Sequence, residues 1–211
     1  MKPYKIFTPR GKISPMRQVP YINFSAQFAE EKADLMAIVE RVFQRGELVG
    51  GSAIDVLEDA LAKICGTRHA VALNSGTDAL TLGMKALGLG PGDEIITPPN
   101  SFVASTAAII AIGATPVFAD VRDDQNIDPV AVEAVLSPRT AAIMPVHLTG
   151  RAADMDPLQK IADRHGLAIV EDAAQSIGCK YKDRPSGSFG QIGCFSAHPL
   201  KNLNAAGDAG F

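Results

Sequence analysis

The chain has 211 residues, 46% hydrophobic and 20% charged, with a formal net charge of -3; this is ordinary globular composition, with no basic excess to suit nucleic acid. Three cysteines, Cys65, Cys179 and Cys194, stand far apart with no C-x-x-C pair, so neither a disulfide framework nor a zinc site is indicated and the cytoplasm is the expected compartment. No apolar run is long enough for a membrane span and no secretory core opens the sequence, so no membrane partner is expected for a length that suits one sizeable core.

Residues 1–18 carry Lys2, Lys5, Arg10, Lys12 and Arg17 and no acid, and read as a solvated N-terminal arm. Val19 to Phe24 is extended, because Pro20 bars helix there. From Ala29 to Phe43, Leu35, Ile38, Val39, Val42 and Phe43 recur at helical spacing, with Gly46 as the stop. A second amphipathic helix is predicted from Ala53 to Cys65, with Val56, Leu57, Leu61 and Ile64 on one face and Gly66 as its cap. Beyond it, strands are predicted at His69 to Asn74, Glu94 to Thr97, Thr115 to Val121, Ala141 to Leu148, Leu167 to Glu171 and Ile192 to Ser196. Helices fall between most of them, at Ala79 to Leu87, Val103 to Ile112, Pro129 to Leu136 and Met155 to His165. Alternation of this kind predicts an α/β fold of three layers, with helices on both faces of a mostly parallel sheet.

The last predicted strand runs into Ser196-Ala197-His198-Pro199-Leu200-Lys201-Asn202. Burying an ammonium is costly unless it is paired, neutral or covalently used. A desolvated lysine amine attacks carbonyls, so Lys201 is a candidate to hold an aldehyde cofactor as a Schiff base; the alternative is a lysine that snorkels to water. Candidate partners stand upstream. Ala168 to Gln175 reads as a buried parallel strand ending in Glu171 and Asp172, at the carboxyl edge where open sheets put ligands. Asn74-Ser75-Gly76-Thr77 reads as a strand end turning into a helix, whose amides suit a phosphate. Competing loops fail: Gly88, Gly90 and Gly92 lack the third glycine of G-x-G-x-x-G, which should stand at Asp93, and no G-x-x-x-x-G-K-S/T is present.

Lysine, carboxylate and phosphate cradle, in this order and spacing, resemble the fold-type-I pyridoxal-phosphate enzymes, and among them the DegT/DnrJ/EryC1/StrS sugar aminotransferases, from Val19 to Phe211. The resemblance implies a pyridoxal 5'-phosphate-binding large domain over 19–211. It implies that Lys201 is the covalent and proton-carrying residue and that Asp172 pairs with the ring nitrogen. Ser75, Gly76, Thr77 and Ser196 would hold the phosphate, with Phe102 stacked on the ring and Gln175 beside its phenolic oxygen. Local residues leave alternatives open: Phe102 as a core residue, Glu171 as the more exposed functional acid, and His147 as a catalytic base or a supporting residue. Thr149 departs from the tyrosine usual in the family's His-Leu-Tyr-Gly, and some relatives with histidine in place of the lysine catalyse dehydration.

The activity implied is transfer of an amino group, with glutamate as donor, to the keto group of a nucleotide-linked sugar. An aminocyclitol or amino-benzoate precursor as substrate, or a cofactor-binding regulator without turnover, are the alternatives. Similar enzymes are homodimers and continue past the lysine loop into a further strand and a small C-terminal domain, so the 211 residues are expected to be a portion of a longer, dimerising chain.

Overall fold

The structure, a computed structural model, describes residues 19–211; the arm read at 1–18 lies outside the described residues. The described residues divide into two compact units, one ending at Leu48 and the other running from Val49 to Phe211. In the first, α1 (Phe24–Arg45) starts at Asn23, whose side chain accepts from the Ala26 amide, and stops at Gly46 in the left-handed conformation; it buries none of its residues. Its N-terminus lies five residues earlier than predicted, because a side-chain cap, rather than the apolar repeat, sets where a helix begins.

The second unit opens with α2 (Ser52–Cys65), which buries Leu61, Ala62 and Cys65 and stops at Gly66 as expected. Then follow α3 (Gly76–Ala86), β1 (Glu94–Thr97), α4 (Val103–Ala111), β2 (Thr115–Phe118), α5 (Pro129–Ala134), β3 (Thr140–Ile143), α6 (Met155–His165) and β4 (Ala168–Asp172). A hairpin of β5 (Lys180–Tyr181) and β6 (Arg184–Pro185) precedes β7 (Ile192–Cys194). Strands β1, β2, β3, β4 and β7 form one sheet in the order β2-β1-β3-β4-β7, every pair parallel. Fully buried Ile95, Ile96, Ile143, Ile169 and Val170 fill it, as expected of a parallel sheet covered on both faces. One cluster packs Leu80, Met84 and Ile109 of α3 and α4, while another packs Val132, Met155, Leu158 and Ile161 of α5 and α6. The three cysteines are free.

Two departures from the predicted elements matter for the site. His69 to Asn74 is no ladder strand: the Ala72 amide donates to Glu58 Oε1 at 2.8 Å, and Leu73 alone pairs, antiparallel, with Gly210. The hairpin β5–β6 was not predicted, since two-residue strands carrying Lys180 and Arg184 have no apolar alternation to read. Beyond β7 the chain turns and comes back. Phe195 and Phe211 exchange backbone hydrogen bonds of 2.8 and 3.1 Å, and their rings stack with centroids 4.6 Å apart. Lys201 sits in the turn that this return creates, with its amide donating to the His198 carbonyl at 2.7 Å.

Candidate active site

The carboxyl ends of β1, β4 and β7 and the N-termini of α3 and α4 converge at one edge of the sheet. At α3 the Ser75 hydroxyl caps the helix by accepting from the Asp78 amide at 3.0 Å. The amides of Gly76 and Thr77 have no acceptor within the helix and meet no other among the described residues. Ser196 lies against this end: a Cβ on Gly76 would stand 2.7 Å from Ser196 Cβ and 3.2 Å from its Oγ. Only glycine permits that approach. Two candidates far apart in sequence thus come together at the positive end of a three-turn helix, a seat suited to an anion.

On β4 the neighbouring acids have different fates. Glu171 is fully buried, with Oε1 accepting from the Phe189 and Gly190 amides at 2.6 and 2.7 Å and Oε2 from the Gly187 amide at 2.7 Å and His147 Nε2 at 2.8 Å. It is not the more exposed acid of the alternative reading; it fastens the 187–190 turn. His147 is fully buried too, and its Nδ1 accepts from the Ala153 amide at 3.0 Å. Nε2 therefore carries the proton and donates to Glu171, which makes His147 a supporting residue. Asp172 accepts from Ser105 Oγ at 2.7 Å and from the Ala174 amide at 3.2 Å. Burial pushes its carboxyl above the usual range, against the pull of those two donors, His147 and Lys201.

Phe102 is 67% exposed at the cap of α4, which sets aside the core reading and offers a flat face at the sheet edge. Gln175 Oε1 accepts from the Thr149 amide at 2.8 Å, leaving the NH2 of the same amide as a donor. Thr149 adopts a left-handed φ of 55° to present that amide. Lys201 is half-buried and near enough to Asp172 to favour its charged form, and its ammonium makes no ion pair among the described residues. Sequence reasoning passed over Ser101 and Ser105, four residues apart at a helix start, and over the Thr149 amide. Spacing alone flags the serines, whereas nothing in residue type flags a backbone donor.

A parallel α/β sheet with an anion seat, a buried carboxylate and a lysine at its carboxyl edge places the chain among the α/β folds that bind ligands at the carboxyl ends of their strands. Residues 29–211 match the DegT/DnrJ/EryC1/StrS aminotransferase family, and the chain belongs to it. It is 45% identical over 194 residues to a dTDP-3-amino-3,4,6-trideoxy-alpha-D-glucose transaminase of Streptomyces venezuelae, covering 92% of this chain and 51% of that one. Among solved structures, S. venezuelae DesV in complex with a ketimine intermediate matches with a TM-score of 0.87 and 45% identity, over 91% of this chain and 52% of the other. NtdA from Bacillus subtilis with bound cofactor PMP matches with a TM-score of 0.85 and 34% identity, over 95% of this chain and 46% of the other. The chain spans about half the length of the curated relatives it matches.

Proposed function

We propose that this chain carries the cofactor site of an aminotransferase that moves an amino group from glutamate to the keto carbon of a nucleotide-linked sugar. The observation that carries the reading is the approach of Ser196 to Gly76 at the open end of α3, because it builds an anion seat on the sheet edge that also holds Asp172 and Lys201. Pyridoxal phosphate, when bound, supplies an electron-accepting ring that stabilises negative charge on a substrate carbon. The amides of Gly76 and Thr77 and the Ser196 hydroxyl would hold its phosphate, and Phe102 would cover one ring face. Asp172, whose donors favour its charged form against burial, would pair with the ring nitrogen and keep its proton there. Gln175 would offer its NH2 to the phenolic oxygen, since its carbonyl is taken by Thr149. The Lys201 amine would anchor the group covalently and would carry the proton that moves between carbons.

The S. venezuelae relative's name supports a nucleotide sugar as the substrate, and Thr149, where the family's tyrosine is usual, marks a place where the pocket departs from its relatives. In this reading the protein works as a cytoplasmic homodimer. A screen of keto-sugar nucleotides against the pyridoxamine-loaded protein, with glutamate to close the cycle, tests the substrate class. Lys201→Ala should cut transfer by at least about 100-fold, the low end for loss of a positioned proton carrier, while cofactor still binds and borohydride no longer fixes it to the chain. Undiminished turnover in that variant, or cofactor binding with no transfer to any keto sugar by the unaltered protein, would refute the proposed activity.

A further inference from the structure

The donors to Asp172 come from two elements: the Ala174 amide from its own loop and the Ser105 hydroxyl from α4. Ser105 is 1% exposed, and its oxygen lies 2.7 Å from Ser101 Oγ. Ser105 gives its one hydroxyl proton to Asp172, so its oxygen accepts from the Ser101 hydroxyl. Ser101 is half-buried and immediately precedes Phe102 at the start of α4. The two hydroxyls therefore join the turn that carries Phe102 to the Asp172 carboxyl group.

We propose that Ser105, oriented by Ser101, is a positioning residue that aims the Asp172 carboxyl group and keeps it ionised. The proposal rests on the reading of Asp172 as the partner of the ring nitrogen. His147, Lys201 and Cys194 face Asp172 from neighbouring segments, and Glu171 adjoins it on β4; none of them donates a hydrogen bond to its carboxyl group. Burial works against the charge, so removing the Ser105 donor leaves Oδ2 desolvated and unpaired. A hydrogen bond to a charged acceptor favours the ionised form by roughly one to two pH units.

The titration midpoint of Asp172 can be followed by carbon NMR in the cofactor-free protein labelled in its aspartate carboxyls, with Asp172→Asn to assign the signal. Ser105→Ala should raise that midpoint by about one unit or more, Ser101→Ala should raise it by less, and Ser105→Thr should restore it. In the cofactor-loaded protein the acidic limb of kcat/KM should move up in the same order. An unmoved midpoint in Ser105→Ala, or a threonine variant shifted as far as the alanine variant, overturns the proposal. Should Ser105→Ala fail to fold, Ser101→Ala decides, and an unchanged midpoint there overturns it equally. Unimpaired transfer by Asp172→Asn would overturn the reading of Asp172 itself, and the proposal with it, even where the midpoints move as expected.

Discussion

Asp172 sits where burial favours its neutral form and its hydrogen-bond donors favour the charged one, and the balance has a measurable consequence for stability. Its folded carboxyl titrates above the ordinary value of 3.8, so between that value and the raised one the folded chain binds more protons than the unfolded chain. Stability then falls as pH rises across the window, and the loss is complete above it. Asp172→Asn, which removes the charge and keeps the shape, should therefore stabilise the cofactor-free protein at neutral pH. Below pH 3.8 the difference should vanish. Denaturant midpoints for both proteins at the two pH values check this, and an asparagine variant less stable than wild type at neutral pH would contradict the assigned cause. The proposed pairing with the ring nitrogen would explain why a costly charge is kept.

At the scale of elements, β4 binds its surroundings through both of its terminal acids. Glu171 gathers three amides of the 187–190 turn together with His147, so one side chain fixes a loop that has no regular structure of its own. Glu171→Gln has a single acceptor oxygen with room for two donors, which leaves two buried donors unmatched at about 1–3 kcal/mol each. A loss of at least about 2 kcal/mol in urea unfolding is expected, and a loss below about 0.5 kcal/mol would show that the amides find other partners. Residue patterns made much of this architecture legible. Apolar runs such as Ile95-Ile96 and Ile169-Val170 marked strands buried on both faces, and the helices of α4 and α6 fell within a residue of their predicted ends. What stayed hidden was set by distant partners. Glu171 and Asp172 look alike in sequence and differ only in who donates to them, while Leu73 pairs with a residue at the other end of the described chain.

Across the second unit, the segment that returns after Lys201 locks the site together. Gly210 pairs with Leu73 on one side and Ser196 on the other, and a Cβ on it would overlap the peptide joining Ser75 to Gly76. Gly210→Ala should thus loosen the anion seat from behind. Overpacking of this kind costs about 1–3 kcal/mol, and the expected outcome is faster cofactor loss on dialysis with Lys201 itself intact. Retention equal to wild type would show that the seat does not depend on this contact.

The same meeting of Gly76, Ser196 and Gly210 sets an order of events during synthesis. A ribosome delivers α3 early, while the two segments that complete its anion seat come near the end of the described sequence. Throughout that interval the helix end lacks the Ser196 and Gly210 contacts, and only the arrival of those residues completes the proposed seat. Cofactor that binds at this seat, as proposed, would be captured only after Ser196 and Gly210 are in place and could not guide the earlier folding of α3. Cofactor bound there would stabilise the fold by mass action, at a junction between segments far apart in the sequence.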